Sequence, residues 1–318
     1  MVVCELCKSQ DFKVIATEIR EGPGIILQCR QCGLVLQDIQ QTEKDLENYY
    51  NVEYQRTNSL RFGKIQTPHE HFQDSYSSSE KIFKKILPFL DSNKRLLEIG
   101  CGSGGLLFWI KPHVKETIGV ELNKEFVHYI NNELGILAFS QDINSIDFLN
   151  GSFDIIICIM TLDHLPNPTQ TLATMKRLLK SDGIIYIEVP NLNEALNQYL
   201  PEPSLSKYKT FFWHKAHYFY FTKDTLTMLL KNIGLTSEIS CSHQYTLINF
   251  LNWYFCGSPQ KTFIEATLLP NLFKGDNDFE KQMNILFFNV NHNFHKILEE
   301  TFTGDTLCCI ASHQKVFK

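Results

Sequence analysis

The stretch LLEIGCGSGGLL, residues 96–107, decides the fold and raises a question about the cofactor. It fits the dinucleotide fingerprint G-x-G-x-x-G through Gly100, Gly102 and Gly105, which indicates NAD or FAD. It also fits the shorter loop G-x-G-x-G through Gly100, Gly102 and Gly104, which indicates S-adenosylmethionine (SAM). A glycine motif alone does not choose between these cofactors, so the neighbouring residues must.

Strands and helices alternate on both sides of this loop. Five short apolar segments have the length of buried strands: 94–100, 116–122, 136–142, 153–160 and 184–191. Helical periodicity marks the segments before and between them: 80–90, 104–111, 123–135 and 168–183. This alternation predicts an α/β fold with a doubly wound, Rossmann-like parallel sheet. Ligands of such sheets bind where the carboxyl ends of the strands turn into the next helix.

An acidic residue stands at or near the end of each of the first three predicted strands. Glu98 is poorly placed beside a pyrophosphate, because like charges repel, but it suits the sulfonium and ammonium cations of SAM. Glu121 fits either cofactor, since both families use an acid there to bind ribose hydroxyls. Asp142 is placed to accept from an adenine amino group. The alternatives are an acid that offsets a helix dipole for Glu98 and a loop acid or N-cap for Asp142.

Together the three acids favour SAM over a dinucleotide. Cys101 is expected to pack behind the glycine loop, since no partner histidine that would activate its thiol is recognisable. The predicted cofactor contacts are Glu98, Gly100, Cys101, Gly102, Gly104, Glu121, Leu122, Asp142 and Ile143.

The N-terminal segment carries two C-x-x-C pairs. Cys4 and Cys7 are followed, after 21 intervening residues, by Cys29 and Cys32. Four thiolates in two tight turns make a closed tetrahedral shell, so we expect a structural zinc ribbon over residues 1–40. A redox-active C-x-x-C is the alternative, but no thioredoxin-like βαβ pattern surrounds these pairs.

Residues 41–79 are polar and rich in aromatic side chains. We expect either a partly exposed connector or a lid whose tyrosines Tyr49, Tyr50 and Tyr54 face a substrate. Residues 80–318 are expected to form the α/β domain, with an insertion near 245–303.

The bulk composition is that of an ordinary globular protein, with 43% hydrophobic and 20% charged residues. The net charge of −5 argues against nucleic acid as the main partner. No signal peptide or run of about 18 apolar residues is recognisable, so we expect no membrane association. The cysteine pattern is typical of a reducing cytoplasm. The oligomeric state is left open.

The sequence resembles class I SAM-dependent methyltransferases. LLEIGCGSGG resembles the first motif of that family, FDIIICIMTLDHLPNP the fourth and LLKSDGIIYIEVPN the fifth-strand region. HYFYFTKDTLTMLLKNIGL is similar to the family's H-x-x-x-F-[ST]-x-x-x-L helix. The cysteine-rich start and the segments HQYTLINFLNWYFCGSPQ and GDTLCCIAS resemble a subgroup related to deoxysugar C-methyltransferases. The resemblance implies a seven-stranded sheet completed by an antiparallel strand near 305–312.

The chemistry of methyl transfer points to groups beyond the fourth and fifth strands. A general base is needed when the acceptor is a hydroxyl or a carbon acid, and histidine titrates near neutral pH. The candidates are His217, His164 and Tyr54, with structural hydrogen bonds as the alternative for both histidines. The deoxysugar enzymes typically place glutamate before the base histidine, whereas Ala216 precedes His217 here.

We therefore expect a cytoplasmic SAM-dependent methyltransferase that acts on a small molecule, with a sugar or nucleotide sugar as the favoured acceptor. Three alternatives stay open at this point. The first is that the protein acts on another protein or metabolite, with the ribbon as a docking surface. The second is that it is an inactive scaffold with the same fold. The third is that it is an NAD-dependent oxidoreductase.

Overall fold

The apolar segment FDIIICI becomes the central strand of a large sheet, because it is buried on both faces between layers of helices. A computed structural model describes residues 2–39, 45, 48–53 and 65–314 of the chain. In this part of the chain, the large sheet has seven strands: β4 Arg95–Ile99, β5 Glu116–Val120, β6 Leu137–Phe139, β7 Phe153–Ile159, β8 Leu179–Pro190, β10 Thr236–Ser242 and β11 Thr306–Ser312.

The strand order is β10-β11-β8-β7-β4-β5-β6. Strands β6, β5, β4, β7 and β8 are parallel neighbours, whereas β11 runs antiparallel to both β8 and β10. The predicted α/β class, the seven strands and the antiparallel last strand are confirmed. The order reverses between β4 and β7, and ligands of open α/β sheets bind at such a switch point.

The helices flank the sheet or follow it along the chain. They are α1 Pro68–Ile86, α2 Gly105–Ile110, α3 Lys124–Glu133, α4 Pro168–Leu178, α5 Ala195–Tyr199, α6 Ser204–Phe212, α7 Lys223–Asn232, α8 Leu247–Cys256, α9 Phe263–Thr267 and α10 Asp278–Glu300. None of these helices combines the length and the apolar character that crossing a bilayer requires.

Two boundaries differ from the sequence prediction. Helix α1 begins at Pro68, twelve residues before the periodic segment, because a capping box between Thr67 and Glu70 stabilises its polar first turns. Helix α4 ends at Leu178 instead of continuing to 183, since Leu179 is already paired with Phe153 in the sheet.

The glycine loop connects β4 to α2. Gly104 has a φ of 86° at the helix N-cap, a left-handed conformation that favours glycine. Gly105 serves a different purpose, because a Cβ there would lie 2.5 Å from the backbone nitrogen of Tyr76 in α1. The second glycine of this pair therefore allows close approach of α1.

The N-terminal strands form a second sheet with the order β1-β2-β3-β9. Its members are β1 Phe12–Ile19, β2 Gly22–Cys29, β3 Val35–Gln37 and β9 Phe219–Tyr220. The hairpin turn between β1 and β2 lies at Arg20 and Glu21. Strand β9 comes from the part of the chain after the fifth parallel strand, so the N-terminal sheet is joined to the large domain by backbone pairing.

Candidate active site

The glycine loop is held by the acid at the end of the neighbouring strand. Glu121 Oε2 accepts from the backbone N–H of Gly102 at 2.9 Å, and Oε1 accepts from the N–H of Asn123 at 2.9 Å. Burial raises the pKa of Glu121, while these N–H donors act in the opposite direction. The carboxylate thus connects the loop after β4 to the start of α3.

Glu98 is the most conspicuous polar group under the loop. Its side chain is 5% exposed, and within the described part of the chain Oε2 has no hydrogen-bond partner. Burial, and then the nearby Glu121, raise the pKa of Glu98 to about 8. A buried carboxylate without a partner is costly, so this position is suited to a cationic ligand.

The remaining predicted cofactor residues occupy different environments. Cys101 is buried against Gly119, and burial followed by Glu98 raises the pKa of its thiol well above the ordinary value, so the thiol stays protonated. Leu122 is half-buried and Ile143 is buried. Asp142 is exposed, and its Oδ1 accepts from the N–H of Asn144 at 2.7 Å, as an N-cap does.

Two of the predicted catalytic residues lie side by side. His164 ends the turn after β7, His217 precedes β9, and their ring centroids are 4.8 Å apart. Both Nε2 atoms lie 3.5 Å from Oδ2 of Asp163, whose side chain is only 1% exposed. The backbone N–H of Tyr218 also donates to the Asp163 carbonyl at 2.8 Å, which ties the two segments together.

Burial dominates the electrostatics of this group. It raises the pKa of Asp163 to about 7 and lowers the pKa of His164 to about 4. The pKa of His217 is lowered well below its ordinary value by burial and then by His164 and His214. The imidazoles are therefore neutral at physiological pH, the form in which a ring nitrogen can bind a cation.

A short helical turn at Tyr49–Glu53 reaches this group from the predicted connector. Tyr50 Oη lies 2.8 Å from His164 Nδ1, and the Tyr50 carbonyl accepts from Asn123 Nδ2 at 3.2 Å. Tyr50 thus contacts both the His164 side and the Glu121 side of the site, and Tyr49 packs against it. Tyr54 lies outside the described residues.

The N-terminal sheet supports the segment that carries His217. Val35 and Leu36 pair with Tyr220 and Phe219. At the hairpin tip, Glu21 Oε2 accepts from the N–H of Lys215 at 3.0 Å. These contacts make the N-terminal segment part of the wall around the histidines.

The four cysteines of this segment converge as the spacing predicts. Their Sγ atoms lie within 4.8 Å of one another, with Cys4 to Cys32 at 3.4 Å and Cys7 to Cys29 at 3.5 Å. Four thiolates around one tetrahedral ion require similar separations, so the donor set fits zinc.

Two residues of the site were missed by the sequence analysis. Thr161 packs closely against the glycine loop. A Cβ added at Gly100 would lie only 2.1 Å from Oγ1 of Thr161. His71 reaches the loop from α1, with its Nδ1 2.6 Å from Ser103 Oγ. Neither residue belongs to a spacing pattern, so only the tertiary structure reveals them.

A family model described as a methyltransferase domain matches residues 69–238. This span contains the glycine loop, all five parallel strands, the three strand-end acids and both histidines. The chain belongs to the methyltransferase domain family. The domain is of the SAM-dependent kind, and the dinucleotide alternative for the glycine loop is thereby set aside.

Related proteins agree with this assignment. The chain is 31% identical over 138 residues to the uncharacterized methyltransferase YcgJ of Bacillus subtilis, and the match covers 37% of this chain and 54% of that protein. It is 33% identical over 110 residues to a ubiquinone biosynthesis O-methyltransferase of Glaesserella parasuis, covering 31% and 46%. The chain spans about half the length of the curated relatives it matches.

The fold itself is shared with a solved SAM-dependent methyltransferase from Archaeoglobus fulgidus. The TM-score is 0.50 at 19% identity, and the match covers 76% of this chain and 96% of the other. At this level of identity the likeness concerns the α/β methyltransferase fold alone.

Proposed function

We propose that this protein transfers the methyl group of SAM to a small-molecule acceptor, with a sugar or nucleotide sugar as the favoured class. The observation that supports this most is the position of the Asp163–His164–His217 group beside the glycine loop. Thr161, two residues before Asp163, touches the loop at Gly100. Proton-accepting groups thus adjoin the expected cofactor site, as in-line methyl transfer requires.

On the cofactor side, Glu98 is assigned to a cationic group of SAM and Glu121 to the ribose hydroxyls. Asp142, at the end of β6, is assigned to the adenine amino group. The peptide groups of the loop approach the ligand closely because glycine carries no side chain. The supporting contacts are assigned to Gly100, Cys101, Gly102, Gly104, Leu122 and Ile143.

On the acceptor side, His217 is assigned as the base that takes the proton of the acceptor. The acceptor atom forms a bond to the methyl carbon as the carbon–sulfur bond breaks, S-adenosylhomocysteine is released, and the acceptor proton passes to His217. Asp163, 3.5 Å from Nε2 of His217, stabilises the resulting imidazolium. His164, and Tyr54 from the connector, are the alternative bases.

The acceptor class is inferred from the walls of the site. His214 packs against His217 with ring centroids 5.0 Å apart, and Tyr220 does so at 5.5 Å. Neutral imidazoles and aromatic rings suit the uncharged hydroxyl groups of a sugar better than a phosphate backbone. The O-methyltransferase among the relatives, together with Ala216 in place of the glutamate of the C-methylating group, favours oxygen as the methylated atom.

We further propose that Cys4, Cys7, Cys29 and Cys32 hold a structural zinc ion and that the protein works in the cytoplasm. Four thiolates leave no open coordination position, so this ion would stabilise the ribbon without entering the reaction.

The direct test is turnover of labelled SAM with a panel of nucleotide sugars. His217→Ala is expected to bind SAM normally in calorimetry but to lose on the order of 10²–10⁴-fold in turnover, because only proton removal and acceptor placement are affected. His292→Ala, an exposed histidine of α10, is the matched control and is expected to behave as wild type.

Unchanged turnover in His217→Ala would contradict its role and shift attention to His164. Loss of SAM binding in that variant would place His217 in the cofactor pocket or the fold instead. Absence of SAM binding by the wild-type protein would favour the inactive scaffold.

A further inference from the structure

We propose that Asp163, His164 and His217 form a binding site for a divalent transition-metal ion, separate from the four-cysteine site. The three side chains come from the turn after β7 and from the segment before β9, which are distant in sequence but adjacent in space.

The geometry is that of ligands around one ion. The ligating atoms of the three residues all lie within 4.8 Å of one another. Nε2 of His164 and Nε2 of His217 are each 3.5 Å from Oδ2 of Asp163. Atoms bound about 2.1 Å from a common ion lie roughly 3.0–3.4 Å apart. Small side-chain rotations therefore suffice to bring all three atoms into coordination.

Some polar atoms of Asp163 and His217 lack a hydrogen-bond partner among the described residues. In the described part of the chain, neither carboxylate oxygen of Asp163 has a hydrogen-bond partner, and neither has Nδ1 of His217. Buried charges in proteins are normally paired or coordinate a metal, since an isolated one is strongly disfavoured. An ion bound by Asp163 Oδ2 and by Nε2 of each imidazole would give the buried carboxylate the partner that it lacks.

The surroundings resemble the outer shell of a metal site. Tyr50 Oη is 2.8 Å from Nδ1 of His164, the ring nitrogen that faces away from Asp163. Metal-bound histidines typically use their second nitrogen in such a contact, which fixes the ring orientation. The Tyr218 N–H that binds the Asp163 carbonyl fixes the backbone of the carboxylate in the same way.

The donor set also indicates the kind of ion. Two imidazole nitrogens and one carboxylate oxygen suit divalent ions from Mn²⁺ to Zn²⁺, whereas the four thiolates of the ribbon select zinc. Three protein ligands leave coordination positions open, unlike the closed four-cysteine shell.

The role of the ion in turnover rests on the proposed function. A bound ion would hold the acceptor oxygen and make its hydroxyl more acidic. His217 would then act as a ligand instead of the base, the proton of the more acidic hydroxyl would pass to water, and the acceptor class would narrow to hydroxyl compounds. Ion binding itself does not depend on the identity of the acceptor.

The test is a Co²⁺ titration of the full-length protein after one equivalent of Zn²⁺ has been added for the cysteines. We expect a further equivalent of Co²⁺ to bind, with visible d–d absorption and no thiolate charge-transfer band. Asp163→Asn, which keeps the side-chain shape, and His217→Ala are expected to weaken this binding at least about tenfold. His292→Ala is expected to leave it unchanged.

SAM calorimetry on the same samples separates the two proposals, and circular dichroism reports whether each variant is folded. Two results would overturn the metal site. The first is that the wild type binds no Co²⁺ apart from Co²⁺ held by thiolates. The second is that Asp163→Asn binds Co²⁺ as tightly as the wild type. SAM binding without such a site would leave the proposed function standing. Co²⁺ binding lost in the variants, in a protein that does not bind SAM, would support the metal site and reject the proposed function.

Discussion

The pKa of Glu98 predicts how SAM affinity depends on pH. Its pKa of about 8 means that the folded protein without SAM holds a proton on this carboxyl at neutral pH. SAM carries a permanent sulfonium charge and therefore favours the ionised carboxylate. Binding accordingly releases a proton, and affinity is expected to rise as pH rises towards 8 and to level off above it.

The magnitude follows from the ionised fraction of Glu98. With a pKa of about 8, roughly 1% of the carboxyl is ionised at pH 6 and roughly 24% at pH 7.5. If SAM binds the ionised form, its affinity rises about 20-fold over this range, which corresponds to about 2 kcal/mol. The raised pKa of Glu121 acts in the same direction.

The assay is calorimetry at several pH values in buffers of different ionisation enthalpy, which counts the protons released. Glu98→Gln removes the titrating group but keeps the shape of the side chain, so most of the slope should disappear. An affinity that is flat or falls between pH 6 and 7.5 in the wild type would refute the reasoning, as would an unchanged slope in Glu98→Gln.

Three further substitutions test other parts of the structure. Gly105→Ala should destabilise the fold by about 1–3 kcal/mol in denaturant titration, since the new Cβ meets the backbone of α1 at Tyr76; a variant as stable as wild type would contradict the close packing. Glu121→Ala should weaken SAM binding by roughly 1–3 kcal/mol while the fold survives, because Gly102 loses its anchor and the ribose would lose the charged acceptor proposed for it; unchanged affinity would place the cofactor elsewhere. Cys4→Ser should release metal from the ribbon and lower turnover more than SAM affinity, measured by metal analysis and calorimetry; a wild-type metal content would refute the four-thiolate site.

Local patterns predicted the five parallel strands because each contains a short apolar segment bounded by turn residues. The strand near 305–312 and the total of seven were implied by the family resemblance, and β10, with the sequence TSEISCS, has no apolar run to find. The strand-end acids and the cysteine pairs could be found in the same way, since they have fixed offsets from recognisable motifs. Helix α1 shows the limit of this approach. Its first turns are rich in serine and histidine, so the capping box and the packing against Gly105 define it better than periodicity does.

The acceptor side of the site was less accessible to sequence analysis. The contact between Tyr50 and His164 joins positions 114 residues apart, and the contact between Asp163 and His217 joins two different loops. No spacing rule predicts these contacts, because the first depends on the path of the connector before α1 and the second on the path of the chain after β8. The pairing of β3 with β9 was missed for the same reason, since a two-residue strand has no detectable alternation.

The sheet shared by β3 and β9 also limits how the protein can be divided. Residues 69–238, the span that matches the family model, include β9 but not its partner β3. A fragment cut to these limits would expose the backbone edge of Phe219 and Tyr220, and unpaired strand edges promote aggregation. The same fragment would lack the Glu21 contact to Lys215. Truncation to these limits therefore removes part of the wall around His217.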